Sequence, residues 1–447
     1  MATTYLTRTT GTSTSQTKCT FSGWYKRGAL TGVHQHIFSI GTSSGAQLRA
    51  RFRTTDAFQV YGNITGQGEI QFITNRLFRD TSAWYHILIS IDCTQSAANR
   101  VKIYVNGIEE TSFDGTTQAE ITSMTVLDSN TFQIGRRAET ANAYFDGYMN
   151  HVAFVDGTAL TPSNFGETDT ASGIWKWKSP SGVTWGDNGF HLKFDNSANL
   201  GLDSSGETNN FTLSGNGRQA KDNPTLSNTT YNSVAQKYTS GTSYSNGNLT
   251  TTNTSNVGQR MAISTFGVET GKWYAEFKLV AIGSTGGSKP YVGVCSQRDY
   301  VGNTYVGGPP GCGLHTGGDI YYAGAGPTST GTSYTTGDII GVALDVTNSL
   351  IYWHKNGTYI SNGSGTGNPT TGANGFNFST VTAKGGIVGF ATSLFDNGGS
   401  WSANFGNGYF GTTAITNAGS NGNGSLFEYD VPSGYYALNT KNLNTYG

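Results

Sequence analysis

Three groups of side chains in this 447-residue sequence have types and spacings suited to holding a ligand. In QLRARFR, Arg49, Arg51 and Arg53 stand at alternate positions. On a strand they would share one face, about 6 to 7 Å apart, where planar guanidiniums pair with an anionic glycan or with an acidic neighbouring subunit. The plainer reading is the solvated face of an antiparallel sheet. In GIWKWKSP the same alternation puts Trp175 and Trp177 on one side, with Trp185 nearby. An indole is apolar enough to meet the C–H face of a sugar ring; its plainer use is in a packed core or a domain interface. In PPGCGLHTGGDIYYAGAGPTSTGTSY (309–334), His315, Tyr321 and Tyr322 lie among glycines. There a backbone approaches a ligand closely, and tyrosine adds contact area at little rotamer entropy. The favoured alternative is a strand through Tyr321 and Tyr322, one ring inward and only the other free for contact.

Other chemistry is thinly represented. Cys19, Cys93, Cys295 and Cys312 have no C-x-x-C spacing and read as buried free thiols rather than zinc ligands or a disulfide framework. His34, His36 and His151 lack metal-site spacing, so no metal and no cofactor is expected. Gly-x-Ser-x-Gly, His-Glu-x-x-His and Walker patterns are absent. A net charge of -1 without a basic block argues against a nucleic-acid partner. The start MATTYLTRTT has no apolar signal core, and no run nears the roughly 18 apolar residues of a membrane span. The expectation is a soluble chain with neither signal peptide nor membrane insertion.

The elements that must position these residues are strands. Glycine counts 63 of the residues and charged residues 12%, against an ordinary charged fraction of about 25%. Aromatics at 12% supply buried surface to offset backbone ordering. No long segment sustains a 3.6-residue period, and Thr, Asn, Ser and Gly are poor helix formers. The reading is all-β. One device occurs twice. In WYHILISIDCTQSAANRVKIYVNG (84–106 with Gly107) and GDIIGVALDVTNSLIYWHKNG (337–357), alternating apolar strands lead to Asn106-Gly107 and Asn356-Gly357, the pair that a two-residue type I′ turn demands. Asp92 stands 12 residues before Tyr104, whereas Asp345 stands 7 before Tyr352. That difference favours two related sandwich domains over a recent duplication.

Taken in order, FSGWYKRG, HQHIFSIG, SAWYHILISID, VKIYVNG, FQIGRR and YFDGYMNHVAFVDGTALTPSNF resemble a LamG-like, concanavalin-type jelly roll. Asn150 and His151 stand where that family often has an acidic pair, which puts a calcium role there in doubt. GKWYAEFKL, YVGVC, GDIIGVALDVTNSLIYWHKNG and IVGFATS stand in the order of a SPRY domain, also a concanavalin-like sandwich. The resemblance implies two antiparallel β-sandwich domains in tandem, residues 1–213 and 229–447, joined by a polar linker at 214–228.

The glycosidases among jelly rolls carry Glu-x-Asp-x-Glu on one strand. That pattern is absent here, and Glu109 and Glu110 would point to opposite sides, so no enzyme is expected. With FEYDVPSGYYALNTKNL and YLTRTTGTSTSQTKCTFSGWYKRG, the combination resembles a tailed-bacteriophage virion protein. This implies a tail fibre, appendage or adhesin, assembled in the host cytoplasm and carried on the virion. Its partners would be other virion proteins and a host-surface saccharide or protein. The alternatives are a capsid- or tail-decorating structural protein and, further off, a glycan-degrading enzyme. Such appendages are usually trimeric. Without heptads or a Gly-x-y period, a homotrimer would rest on sandwich faces or on a partner.

Overall fold

The computed structural model describes residues 3–28, 30, 32–235, 241–256, 258–284, 290–298, 305–322, 327–382 and 386–447. Of the glycine-rich stretch singled out above, residues 323–326 lie outside the described residues. The chain divides into two compact units, Met1–Gln219 with Asn223–Thr225, and Ala220–Asp222 with Leu226–Gly447. Both are built of mostly antiparallel sheets, as the strand alternation predicts. Ser214 closes the edge strand Thr212–Ser214 of the first unit, while residues 220–222 belong to the second.

The first unit stacks an eight-stranded sheet on a six-stranded one. The larger runs, in spatial order, Phe113–Gln118, Gly68–Leu77, Ala57–Ile64, Ala46–Phe52, Gln35–Ser43, Thr131–Ile134, Tyr5–Thr9 and Thr212–Ser214. The smaller runs Phe190–Leu192, Gly147–Asp156, Lys18–Arg27, Trp84–Asp92, Val101–Val105 and Ile108–Glu109. Alternate side chains, such as Leu48, Ala50 and Phe52 on one sheet and Ile87, Ile89 and Ile91 on the other, meet in a single core. Phe132 sits in its middle, with ring centroids 5.9 Å from Phe38, 5.4 Å from Phe154, 5.3 Å from Phe190 and 6.0 Å from Phe211. Phe132→Ala is expected to cost about 3 to 5 kcal/mol, because four rings fixed on separate segments of the chain cannot all close the hole. Calorimetry checks this as a lowered transition temperature.

The two Asn-Gly turns are the same device. Asn106 and Gly107 have φ of 49° and 81°, and Asn356 and Gly357 of 49° and 88°, as type I′ geometry requires. Each Asn side chain accepts a hydrogen bond at 2.8 Å from a backbone N–H of the preceding strand, at His86 and Ile339 respectively. A covering aromatic ring then lies where a Cβ on the turn glycine would point, Trp175 at Gly107 and Tyr429 at Gly357. The unequal spacing has a local cause: the first unit inserts a short helix, Ala97–Arg100, between the paired strands, while the second turns directly from Asp345 to Leu350.

The second unit pairs a larger sheet, with Lys272–Ala281, Ile339–Asp345 and Leu350–Lys355 at its centre, with a sheet containing Val388–Leu394, Tyr291–Ser296, Gly311–His315 and Asp319–Tyr322. Between them Trp353 and Trp401 are wholly buried, and the Trp353 indole N–H donates to the Val292 carbonyl at 3.1 Å. On its outer side the larger sheet is covered by Phe427, Val431, Tyr435 and Ala437, which pack on Tyr274, Ala343 and Tyr352. Glu276, 0% exposed, fastens that cover. Its carboxylate accepts hydrogen bonds from the backbone N–H of Glu428 at 2.8 Å and of Tyr429 at 2.9 Å, from Asn404 Nδ2 at 3.2 Å and from Tyr274 Oη at 3.0 Å. His354 supports the Tyr274 hydroxyl through Nε2 at 2.6 Å and accepts from the Gly357 N–H through Nδ1 at 3.1 Å.

Candidate functional site

The outer face of the eight-stranded sheet gathers the first unit's arginines. Since Leu48, Ala50 and Phe52 point into the core, Gln47, Arg49 and Arg51 point away from it. The register then draws a polar row across six strands: Thr7 opposite Gln133, Gln133 opposite Ser39, Ser39 opposite Arg49, Arg49 opposite Tyr61, and Tyr61 opposite Gln71. One step along the strands lie His36, Arg51 and Gln59.

This face is more than a solvated sheet surface. The Arg49 side chain is only 9% exposed. It donates to Gln47 and, at 2.7 Å, to Glu139 Oε1, and its guanidinium lies 4.5 Å from the centroid of the Tyr61 ring. Arg137 holds the same Glu139 oxygen through Nε at 2.7 Å and Nη2 at 2.5 Å. Arg51 donates from Nε to Gln59 Oε1 at 2.7 Å. Arg136 lies 3.5 Å over the Tyr5 ring and donates to Gln133 at 2.8 Å. Burial first, and the neighbouring guanidiniums second, press Arg51 down to about 10 and His34 down to about 4. The same two causes lower His36 well below the ordinary imidazole value. At neutral pH the arginines are charged and both imidazoles neutral.

The tryptophans lie elsewhere and are engaged within the chain. Strand Trp175–Trp177 pairs with Gly166–Thr168. Both indoles pack on histidines: Trp175 stacks on His86 at 5.9 Å with its N–H donating to Nδ1 at 3.0 Å, and Trp177 stacks on His151 at 4.0 Å. His86 in turn stacks on Trp24 at 5.0 Å and meets Ser22 Oγ through Nε2 at 2.9 Å. His151 and His191 hydrogen-bond at 3.2 Å, and Trp185 stacks on His191 at 5.6 Å. Asn150 and His151 mark a bulge in strand Gly147–Asp156, His151 having φ of 47°, which accounts for a histidine reaching Trp177 there. Each indole thus has one ring face covered by an imidazole of the same chain.

In the second unit the alternation at Tyr321 and Tyr322 is as expected of a strand. Ile320 is buried in the sandwich, and Tyr321, on the other side of Asp319–Tyr322, packs on Tyr291 at 5.7 Å and His315 at 5.3 Å. His315 corrects the ligand reading: it is 0% exposed, its Nδ1 accepts from the Gly317 N–H at 2.7 Å and its Nε2 lies 3.2 Å from Asp319. Its ring holds a turn together.

Of the sequence candidates, then, Arg49, Arg51 and Arg53 come together, while Trp175, Trp177, His315, Tyr321 and Tyr322 do not join them. Tyr61, Arg136, Arg137 and Glu139 complete the face and went unremarked as site residues. The signal for Tyr61 was its alternation with Gln59 in FQVYGN, and for the others the paired arginines ending FQIGRR.

Comparison with known proteins agrees with the sandwich. The Laminin_G_3 family model, described as the concanavalin A-like lectin/glucanases superfamily, matches residues 1–164. Among solved structures, the SPRY domain of human HERC1 is similar at 19% identity and a TM-score of 0.29, over 37% of this chain and 92% of that one. A candidate carbohydrate binding protein from Bacteroides ovatus is similar at 19% identity and a TM-score of 0.32, over 48% of this chain and 56% of that one. The CBM40 of the Ruminococcus gnavus IT-sialidase is similar at 14% identity and a TM-score of 0.25, over 33% of this chain and 80% of that one. No curated protein sequence matches.

Proposed function

We propose that this chain is a non-catalytic recognition protein whose first unit binds a surface saccharide or protein through the arginine and tyrosine face of its eight-stranded sheet. The observation that carries the reading is the polar row from Thr7 to Gln71, with Arg49 over Tyr61 at its middle. A sheet face serving only as solvated exterior has no need to half-bury arginines beside one another, since desolvating a cation is costly. Binding rather than catalysis fits the carboxylates there. Glu139 is held by Arg49 and Arg137, and Glu69 accepts from the Tyr61 hydroxyl at 2.5 Å; neither is placed as the free acid and base that glycoside hydrolysis requires.

The motif order supports deployment on a phage virion, as a tail fibre, appendage or adhesin that meets the host surface, with neighbouring virion subunits as its other partners. The test is an array of neutral and acidic oligosaccharides probed with the full chain. Retention of some glycans, weakened at least tenfold by Tyr61→Ala and unaffected by Trp177→Phe, is the expected outcome. Retention that Tyr61→Ala leaves intact would move the site off this face, and an array with no retained glycan would remove the saccharide half of the reading.

A further inference from the structure

The hydrogen-bond partners of the arginine face divide it in two. Arg49 and Arg137 converge on one oxygen of Glu139, an intramolecular demonstration that this surface holds a carboxylate. Among the described residues Arg51 engages only its Nε, with Gln59, and the Arg53 guanidinium has no hydrogen-bond or ion-pair partner, although its Nε is buried. Beside them His36 is 0% exposed, its Nδ1 3.3 Å from the Ala143 carbonyl and its Nε2 without a partner among the described residues. His34 Nδ1 is likewise buried and unpartnered among the described residues. The cations at this end therefore exceed the carboxylates that answer them, and neutral ring nitrogens stand next to unspent guanidinium donors.

Resting on the reading of this face as the binding site, we infer that its ligand is an anionic saccharide, whose carboxylate or sulfate groups take Arg51 and Arg53. The anionic groups match the planar donors of Arg51, on strand Ala46–Phe52, and of Arg53 just past its end. A nucleic acid fits less well, because the chain, at net charge -1, has no basic block to follow a duplex.

The test immobilises polygalacturonate (carboxylated), heparin (sulfated), dextran (neutral) and duplex DNA, and measures binding of the full chain at 50 and 300 mM salt. The expected result is binding to at least one acidic polysaccharide, weakened about tenfold or more by the higher salt and again by Arg51→Gln with Arg53→Gln. The exposed-arginine control Arg79→Gln should change it less than twofold, and circular dichroism should show the double variant folded. Whether polygalacturonate or heparin binds tells carboxylate from sulfate recognition. Equal binding to dextran, lost in Tyr61→Ala, would overturn the anionic class while leaving the face as the site. Equal or tighter binding to DNA overturns the saccharide. Binding to acidic polymers that the double variant retains overturns the assignment to Arg51 and Arg53, and binding to none of the four overturns the inference outright.

Discussion

Acidification from pH 8 to pH 5 is expected to weaken the first unit by several kcal/mol. All five of its histidines, His34, His36, His86, His151 and His191, are depressed below the ordinary imidazole value, with burial the leading cause in each. His86 and His151 lie at about 3, and His34 and His191 at about 4. An unfolded chain takes up these protons near pH 6.5 while the folded chain refuses them, so the unfolded state binds more protons throughout the interval. Stability is therefore complete above pH 6.5 and declines as pH falls toward 3 to 4. For His86 alone the loss at pH 5 is about 2 kcal/mol, from 1.5 pH units at about 1.36 kcal/mol each. The His151–His191 pair adds to it, and half-exposed His34 adds least. Asp156, raised by burial, opposes the trend only at the acid end. Calorimetry between pH 8 and pH 4 measures the effect in the transition that Phe132→Ala displaces. A transition temperature constant over that range would contradict a neutral, buried histidine layer.

Removal of the Glu276 carboxylate is expected to be equally severe in the second unit. Glu276→Ala strands the backbone N–H groups of Glu428 and Tyr429 away from water and takes one partner each from the Asn404 amide and the Tyr274 hydroxyl, which keep the Leu426 carbonyl and His354; each buried donor left unpaired costs about 1 to 3 kcal/mol. A loss of about 3 kcal/mol or more follows, concentrated where the cover formed by Phe427, Val431 and Tyr435 leaves the sheet. Hydrogen exchange followed by mass spectrometry should show residues 427–438 losing protection before the strands beneath them. Glu276→Gln is expected to fall between, because its carbonyl oxygen keeps part of the network while its NH2 faces a donor. Unaltered exchange in Glu276→Ala would show that the apolar contacts hold the cover unaided.

How much of this was legible beforehand depends on how far apart in sequence the cooperating residues stand. The period of two in QLRARFR is a local property of extended chain, and it puts Arg49 and Arg51 on one face of strand Ala46–Phe52, with Arg53 just past its end. The Asn-Gly hairpins were legible for the same reason, their positive φ values being a demand on two consecutive residues. Glu139 closing on Arg49 lies beyond such reasoning, since 90 positions separate them and only the register of several strands joins them. The layer formed by Trp24, His86, Trp175, Trp177 and His151 is of that kind too: each residue looks ordinary in its own neighbourhood. His315 misled for the opposite reason. Its glycine-rich surroundings have the composition of an open loop, but the tertiary packing of Tyr291 and Tyr321 closes over the ring.

The concentration of arginine on one face of a molecule whose charges otherwise nearly cancel also bears on how encounters begin. With a net charge of -1 there is no monopole to draw a polyanion from afar, and the field of the face fades within a Debye length, about 8 Å at physiological ionic strength. Association should therefore start at unassisted diffusional rates of about 10⁵ to 10⁷ M⁻¹s⁻¹, with selectivity residing in how long a partner stays rather than how quickly it arrives.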